Sequence, residues 1–83
     1  MKREIVLYTK KNCPLCEEAK EMLHILCEKY HQSYQEADIY QDDNLLKAYQ
    51  LMIPVVSIDG RAVLWGKFMF SELEAHFQSF CCH

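Results

Sequence analysis

The spacing of apolar residues along the 83-residue chain predicts seven secondary-structure elements. Short β-rich runs alternate with longer segments in which apolar residues return every three or four positions. In chain order we predict a strand over 4–8, a helix over 14–30, a strand over 33–39, a helix from 42 or 43 to about 50, strands over 54–58 and 62–65, and a last helix that begins at Ser71.

The helix over 14–30 has the clearest pattern of the three. Its apolar residues form a single stripe made of Leu15, Ala19, Met22, Leu23, Leu26 and Tyr30. Such a stripe is typical of a helix that packs one face on a sheet. The second helix is predicted to turn Leu45, Leu46 and Tyr49 inward, and the last, opened by a capping box from Ser71 to Glu74, to turn Leu73, Phe77 and Phe80 inward.

The strands differ in how much of each is predicted to be buried. The uninterrupted apolar run over 5–7 is expected of a strand that is covered on both faces. The strand over 33–39 alternates apolar and acidic residues and is predicted to be a half-exposed edge strand. Asp59-Gly60 is a strong hairpin turn between the last two strands.

The order of these elements predicts the fold class. A β-α-β unit crosses over right-handed and has parallel strands, whereas the hairpin adds antiparallel strands. We therefore predict an α/β fold of order β-α-β-α-β-β-α, with a four-stranded mixed sheet flanked by helices. A chain of 83 residues has room for one modest core, so we expect a single domain over 1–83.

Between the first strand and the first helix lies the segment Cys13-Pro14-Leu15-Cys16. Pro14 fits a first helical turn because its missing N–H would find no intrahelical partner there. Cys13 then lies at the helix N-terminus, where unpaired N–H groups and the helix dipole favour a thiolate. Cys16 follows one turn later on nearly the same face, within reach for a disulfide. We predict a redox pair with Cys13 as the nucleophile.

Charged residues surround this dithiol on both sides. Lys10 and Lys11 precede Cys13 and favour its thiolate, whereas Glu17 and Glu18 follow it and oppose that charge. The two influences have opposite signs.

The cysteines allow a second interpretation, because C-x-x-C also forms half of a zinc site. Two further ligands would be needed, and the compact candidates are Cys81, Cys82 and His83 at the C-terminus. Cys27 lies on or beside the apolar helix stripe and is predicted to be a small core residue. The odd count of five cysteines and the lack of a signal-like apolar run argue against a secreted disulfide scaffold.

Composition narrows the choice of partners. The net charge of −3 gives no basic footprint for nucleic acid or for an anionic membrane. The first apolar run has four residues, 5–8, and is too short for a membrane span. We expect a cytoplasmic monomer whose partners are small molecules or proteins.

Several segments together resemble the glutaredoxins, the minimal form of the thioredoxin fold, and in particular the short bacterial glutaredoxin-like family. The resemblance covers nearly the whole chain and combines the dithiol after the first strand with a proline that opens the third. The matching segments are Leu7-Tyr8-Thr9-Lys10, Cys13 through Lys20, Asp38-Ile39, Ile53-Pro54-Val55-Val56, Asp59-Gly60-Arg61 and Trp65-Gly66-Lys67-Phe68.

The resemblance implies a thiol–disulfide oxidoreductase with no resident metal or organic cofactor. It implies a cis bond before Pro54, a proline that faces Cys13 and Cys16, and pairing of the Ile53 backbone with an extended substrate. It also implies that Lys10 contacts a glutathione carboxylate. Pro14 and Leu15 are expected to contact the substrate as well. Glutathione or a thioredoxin reductase would recycle the enzyme, and its substrates would be protein or low-molecular-weight disulfides.

The chain departs from the family at two places. Lys11 and Asn12 stand where Pro-Gly is common in glutaredoxins. The segment 65–71 has one glycine and no aspartate, whereas glutaredoxins carry Gly-Gly-x-Asp there for the γ-glutamyl end of glutathione. The acid that thioredoxins bury on the first strand is also absent, since the positions around Leu7 are apolar.

Two classes of function stay open on the sequence alone. One is the oxidoreductase. The other is a binding module that docks an extended segment beside Pro54, or that holds zinc or an iron–sulfur cluster with the same cysteines.

Overall fold

The computed structural model describes residues 3–81, and its sheet has the predicted mixed topology. The elements are β1 (Ile5–Thr9), α1 (Pro14–Lys29), β2 (Tyr34–Asp38), α2 (Asp43–Tyr49), β3 (Val55–Ile58), β4 (Arg61–Trp65) and α3 (Phe70–Cys81). A single 3₁₀ turn, Ile39–Gln41, joins β2 to α2 and was not predicted. The strand order is β2-β1-β3-β4, so β2 is an edge strand as expected.

The pairing of the strands confirms the predicted connections. β1 and β2 run parallel, with Ile5 opposite Tyr34. β3 runs antiparallel to both of its neighbours, with Tyr8 opposite Val55 on one side and Val55 opposite Trp65 on the other. The C-terminal end of β1 and the N-terminal end of β3 therefore lie at the same end of the sheet, which we call the dithiol end because Cys13 follows there.

The core lies between the sheet, α1 and α3. Its members are fully or almost fully buried and include Ile5, Leu7, Ala19, Leu23, Leu26, Cys27, Val56, Phe68, Leu73 and Phe77. These positions confirm the predicted apolar stripe of α1 and the inward positions of α3. Burial on this scale is the main stabilising contribution in a chain of this size.

Two details of the helices differ from the expectation. The predicted inward residues of α2 are only half-buried, because none of that short helix is fully covered. The last helix begins at Phe70 rather than Ser71. The Glu72 carboxylate accepts the Met69 N–H at 2.8 Å, which places the helix cap at Met69 and not at Ser71.

None of the helices within residues 3–81 combines the length and the apolar character that crossing a bilayer requires.

Candidate active site

Cys13 is the N-cap residue of α1, as the position of Pro14 predicts. Its backbone is extended, with φ −123° and ψ 100°, and Pro14 occupies the first helical turn. The Cys16 N–H donates a hydrogen bond to Cys13 Sγ at 3.1 Å. The sulfur of Cys13 therefore accepts a hydrogen bond from one of the N–H groups that a helix leaves unpaired at its start. It lies at the positive end of the helix dipole.

Cys13 and Cys16 are joined by a disulfide, and their Cα atoms lie 5.1 Å apart. The predicted reach of the two sulfurs is thus confirmed. The two residues differ in access to solvent, because Cys13 is half-buried whereas Cys16 is 2% exposed. A substrate that approaches from solvent meets Cys13 first.

The loop before Cys13 presents two exposed lysines, Lys10 and Lys11. Asn12 adopts a left-handed conformation with φ 55°, which asparagine tolerates better than most residues. These three residues line a surface depression whose other wall is formed by Asp38, Tyr40 and Gln41. The exposed Tyr40 was not singled out in the sequence, where nothing links the β2–α2 connection to the dithiol.

Glu17 lies one helical turn after Cys13 and lines a second depression together with Asn12, Cys13 and Pro14. The charge of Glu17 also acts on Lys20. The pKa of Lys20 is raised mainly by Glu36 and more weakly by Glu17. The acidic residue that was expected to oppose a thiolate therefore lines the same depression as Cys13.

Ile53 and Pro54 lie at the dithiol end, where the register of β1 and β3 places them beside the end of β1. The Ile53–Pro54 peptide bond is cis, as the resemblance implies, and Pro54 is fully buried. The Gly66 N–H donates to the carbonyl oxygens of both Pro54 and Met52 at 2.9 Å. Within the described part of the chain, the Ile53 backbone makes no hydrogen bond.

A narrow groove runs along the other side of the dithiol, between α1 and the segment after β4. Leu15, Ala19 and Met22 form one wall, and Gly66 and Phe68 form the other. Phe68 is 8% exposed and belongs to the core. Leu15, between the two cysteines, therefore lines this groove.

The structure thus places all seven predicted site residues at the same end of the sheet. Cys13, Cys16, Pro14 and Leu15 occupy the start of α1, Lys10 precedes them, and Ile53 and Pro54 lie at the same end of the sheet.

Other predictions have mixed outcomes. The sequence indicates packing roles for the aromatic residues Tyr8 and Trp65. Tyr8 does pack, with its ring 4.8 Å from that of Tyr49. Trp65 was expected to pack but is 52% exposed at the end of the edge strand β4.

Metal binding by the described residues has no geometric support, since no three His, Cys, Asp or Glu side chains cluster among them. Cys82 and His83, two members of the tail considered as further ligands, lie outside the described residues. Cys27 is buried in the core, as predicted.

Comparison with known proteins places this geometry in a family. The model of the glutaredoxin-like domain (DUF836) matches residues 4–78. The target protein XcR50 from X. campestris is 28% identical, with a TM-score of 0.75 over 90% of this chain and 96% of that one. Protein Ne2328 from Nitrosomonas europaea is 22% identical, with a TM-score of 0.76 over 89% of each chain.

The thioredoxin fold is shared more widely. The oxidised thioredoxin from Plasmodium falciparum is 13% identical and superposes with a TM-score of 0.70, covering 96% of this chain and 82% of that one. At this identity the likeness concerns the fold alone. Because the family model spans residues 4–78, this chain belongs to the glutaredoxin-like domain family (DUF836).

Proposed function

We propose that this chain is a thiol–disulfide oxidoreductase in which Cys13 is the nucleophile and Cys16 the resolving cysteine. The observation that carries the proposal is the asymmetry of the pair. The Cys13 sulfur caps α1 and is accessible, whereas Cys16 is 2% exposed and bonded to it. A thiolate is the reactive form in disulfide exchange, and a helix N-terminus stabilises it.

The reaction balances as an exchange of two electrons and two protons. The Cys13 thiolate attacks one sulfur of a substrate disulfide, that S–S bond breaks, and the other sulfur leaves as a thiol after protonation. Cys16 then gives up its proton, which the departing substrate sulfur takes up, and the Cys16 thiolate attacks the Cys13 sulfur of the mixed disulfide. The second substrate thiol is released, the substrate disulfide is reduced, and Cys13–Cys16 is oxidised.

The substrates that we propose are disulfides of proteins or of small molecules. An extended polypeptide is well suited to the site, because the Ile53 backbone is without a hydrogen bond in the described part of the chain and lies at the dithiol end. A strand added there would gain main-chain hydrogen bonds. Lys10, which is exposed beside the dithiol, would hold a substrate carboxylate.

The test is turnover of a mixed disulfide by the wild type and by two serine variants. Cys13→Ser is expected to reduce the rate to that of uncatalysed exchange, because it removes the attacking sulfur. Cys16→Ser is expected to accumulate the mixed disulfide or to work only as a monothiol enzyme. Cys27→Ala is the control, since Cys27 is buried in the core. Equal activity in the wild type and both serine variants would rule out the proposal.

Recycling is tested separately, by reducing the oxidised chain with glutathione or with a thioredoxin reductase and its reductant. We propose that one of the two regenerates the dithiol. The faster system identifies the reductant. A chain that neither system reduces would contradict this part of the proposal.

A further inference from the structure

Charges of opposite sign lie on the two sides of the reactive sulfur. Lys11 precedes Cys13 in the loop, and Glu17 follows it one helical turn later. Asn12 lines both the depression that contains Lys11 and the one that contains Cys13 and Glu17, so the two depressions adjoin. Both charged side chains belong to exposed residues. A molecule that covers Cys13 meets a cation on one side and an anion on the other.

The fold does not use these two charges for ion pairs. Among residues 3–80 the ion pairs are Arg3–Asp59, Lys20–Glu36, His24–Glu28 and Lys29–Glu74. Neither Lys11 nor Glu17 takes part in one. Both therefore remain available to a partner.

Three neighbouring charges weaken this polarity without reversing it. Lys20 feels the charge of Glu17, but its ion pair is with Glu36. Asp38 lies on the lysine side, but its carboxylate accepts the Tyr40 N–H at 2.9 Å. Lys67 lies on the acidic side, where it lines the groove of Leu15 together with Glu18. The lysine side still has Lys10 in addition to Lys11, and the acidic side has Glu17 and Glu18.

We propose that the substrates are polypeptide disulfides with acidic residues on one side of the reacting cysteine and basic residues on the other. This inference rests on the proposed function and specifies its substrate class. In an extended chain, residues two or three places from the cysteine lie about 7–10 Å away from it. That range is comparable with the screening length of about 8 Å at physiological ionic strength, so flanking charges are felt.

A polypeptide fits better than a small zwitterionic disulfide, because the dithiol end also exposes apolar side chains. Trp65 ends β4 opposite Val55 and is 52% exposed, and Met69 is 68% exposed. A small molecule centred on Cys13 would leave most of this apolar area in contact with water, whereas a polypeptide can cover it.

The test uses two peptides of the same composition, each joined through its one cysteine to a neutral thiol. One carries two acidic residues before the cysteine and two lysines after it, and the other has the reverse order. At low ionic strength we expect reduction rates that differ about three- to tenfold, the range expected for exposed charge pairs. The difference should disappear at about 1 M salt, where the screening length is about 3 Å.

A charge exchange at the site provides the decisive comparison. The double variant Lys11→Glu/Glu17→Lys is expected to prefer the other peptide. The matched control is Lys47→Glu/Glu28→Lys, which exchanges the same charges on exposed positions of α2 and α1. Glu28 lies eleven residues beyond Glu17, about 16 Å along the helix axis. This control should keep the wild-type preference.

Each result has a defined meaning. Equal rates for the two peptides, or an unchanged preference in the double variant at the site, would overturn the inference. Small zwitterionic disulfides with the two charge arrangements test the polypeptide assignment. If the wild type distinguishes them as strongly as it distinguishes the two peptides, that assignment is overturned. A neutral small disulfide, such as bis(2-hydroxyethyl) disulfide, tests the proposed function by itself: wild-type protein that fails to reduce it refutes the oxidoreductase, whatever the peptides show.

Discussion

The two ends of the sheet use their polar side chains in different ways. At the end opposite Cys13, side chains bind across elements: Arg3 pairs with Asp59 at 2.9 Å, and the Glu4 N–H donates to the same carboxylate at 3.0 Å. At the dithiol end, the side-chain hydrogen bonds cap their own turns, as Glu72 does for the Met69 N–H. We call the end that contains Arg3, Glu4 and Asp59 the closed end, because these groups bind one another. At the dithiol end, charged side chains such as Lys10 and Lys11 are exposed to solvent.

A second cross-element contact strengthens this difference. Glu74 of α3 accepts hydrogen bonds from Lys29 Nζ at 2.6 Å and from the Tyr30 hydroxyl at 3.0 Å, at the C-terminal end of α1. The start of α1, where Cys13 lies, has no comparable tie to α3 in the described residues. The comparison indicates that these polar contacts between distant elements lie away from the dithiol.

The largest loss of stability is expected from a substitution in the core between the sheet, α1 and α3. Phe77→Ala should lower the free energy of unfolding by about 3–5 kcal/mol, because Phe77 is fully buried and the change leaves a cavity. Urea unfolding measures the loss. Ile25→Ala, at a position that is 54% exposed on α1, is the control and should stay within about 0.5 kcal/mol of the wild type. Similar losses in both variants would contradict the assigned core.

Substitutions at Asn12, in the loop before Cys13, should change stability through the backbone conformation of that residue and not through packing. Asn12 has φ 55°, so Asn12→Val should destabilise the chain by about 1–2 kcal/mol, whereas Asn12→Gly should not. Thermal unfolding of the two variants measures the difference. Equal stability of the valine and glycine variants would show that Asn12 does not hold this conformation in solution.

A smaller effect is expected at the start of α3. Glu72→Ala removes the carboxylate that accepts the Met69 N–H and should destabilise the chain by about 0.5 kcal/mol. Ser71→Ala, next to it, is the matched control and should have little effect, because the helix cap lies at Met69. The reverse ranking in chemical denaturation would restore the cap originally predicted at Ser71.

The smallest effect that we expect concerns how stability falls at acid pH. It comes from the carboxylates of Asp59 and Glu74, which lie away from the dithiol end. The Glu4 N–H and Arg3 lower the pKa of Asp59, and Lys29 and the Tyr30 hydroxyl lower the pKa of Glu74. A lowered folded-state pKa means that the stabilisation is present above the unfolded pKa, about 4, and is lost as pH falls through the folded value. Melting temperatures from pH 6 to about 2 should fall less in Asp59→Asn and Glu74→Gln than in the wild type.

The controls for this pH series lie at the other end of the molecule. Glu17→Gln and Glu18→Gln at the dithiol end are the controls, because neither carboxylate takes part in an ion pair among residues 3–80. A flattened profile in these variants would contradict the difference between the two ends.

Local patterns in the sequence predicted most of the fold. The stripe of α1 and the Asp59-Gly60 turn depend on neighbours close in sequence, so they could be read directly. The start of α3 could not be predicted in this way, because the spacing from Ser71 to Glu74 fits a capping box as well as the spacing from Met69 to Glu72 does. In the structure Glu74 instead binds Lys29 and Tyr30 at the end of α1. Such contacts between distant segments leave no periodic signal.

The site was predictable to a similar degree. The C-x-x-C spacing and Pro14 placed Cys13 at a helix start without further information. The positions of Ile53 and Pro54 required the resemblance, since only the pairing of β1 with β3 brings them to the dithiol end. The exposure of Trp65 was missed because an apolar residue at the end of an edge strand has the same sequence pattern as a buried one.

A redox titration of Cys13 and Cys16 shows whether the two residues form a redox pair, with the oxidised fraction measured by alkylation and peptide mass spectrometry. We predict one reversible two-electron transition, at about −270 mV if the pair is thioredoxin-like or about −200 to −230 mV if it is glutaredoxin-like. The transition should persist in Cys27→Ala and vanish in Cys13→Ser and Cys16→Ser. A pair that does not cycle reversibly between dithiol and disulfide would refute the proposed oxidoreductase.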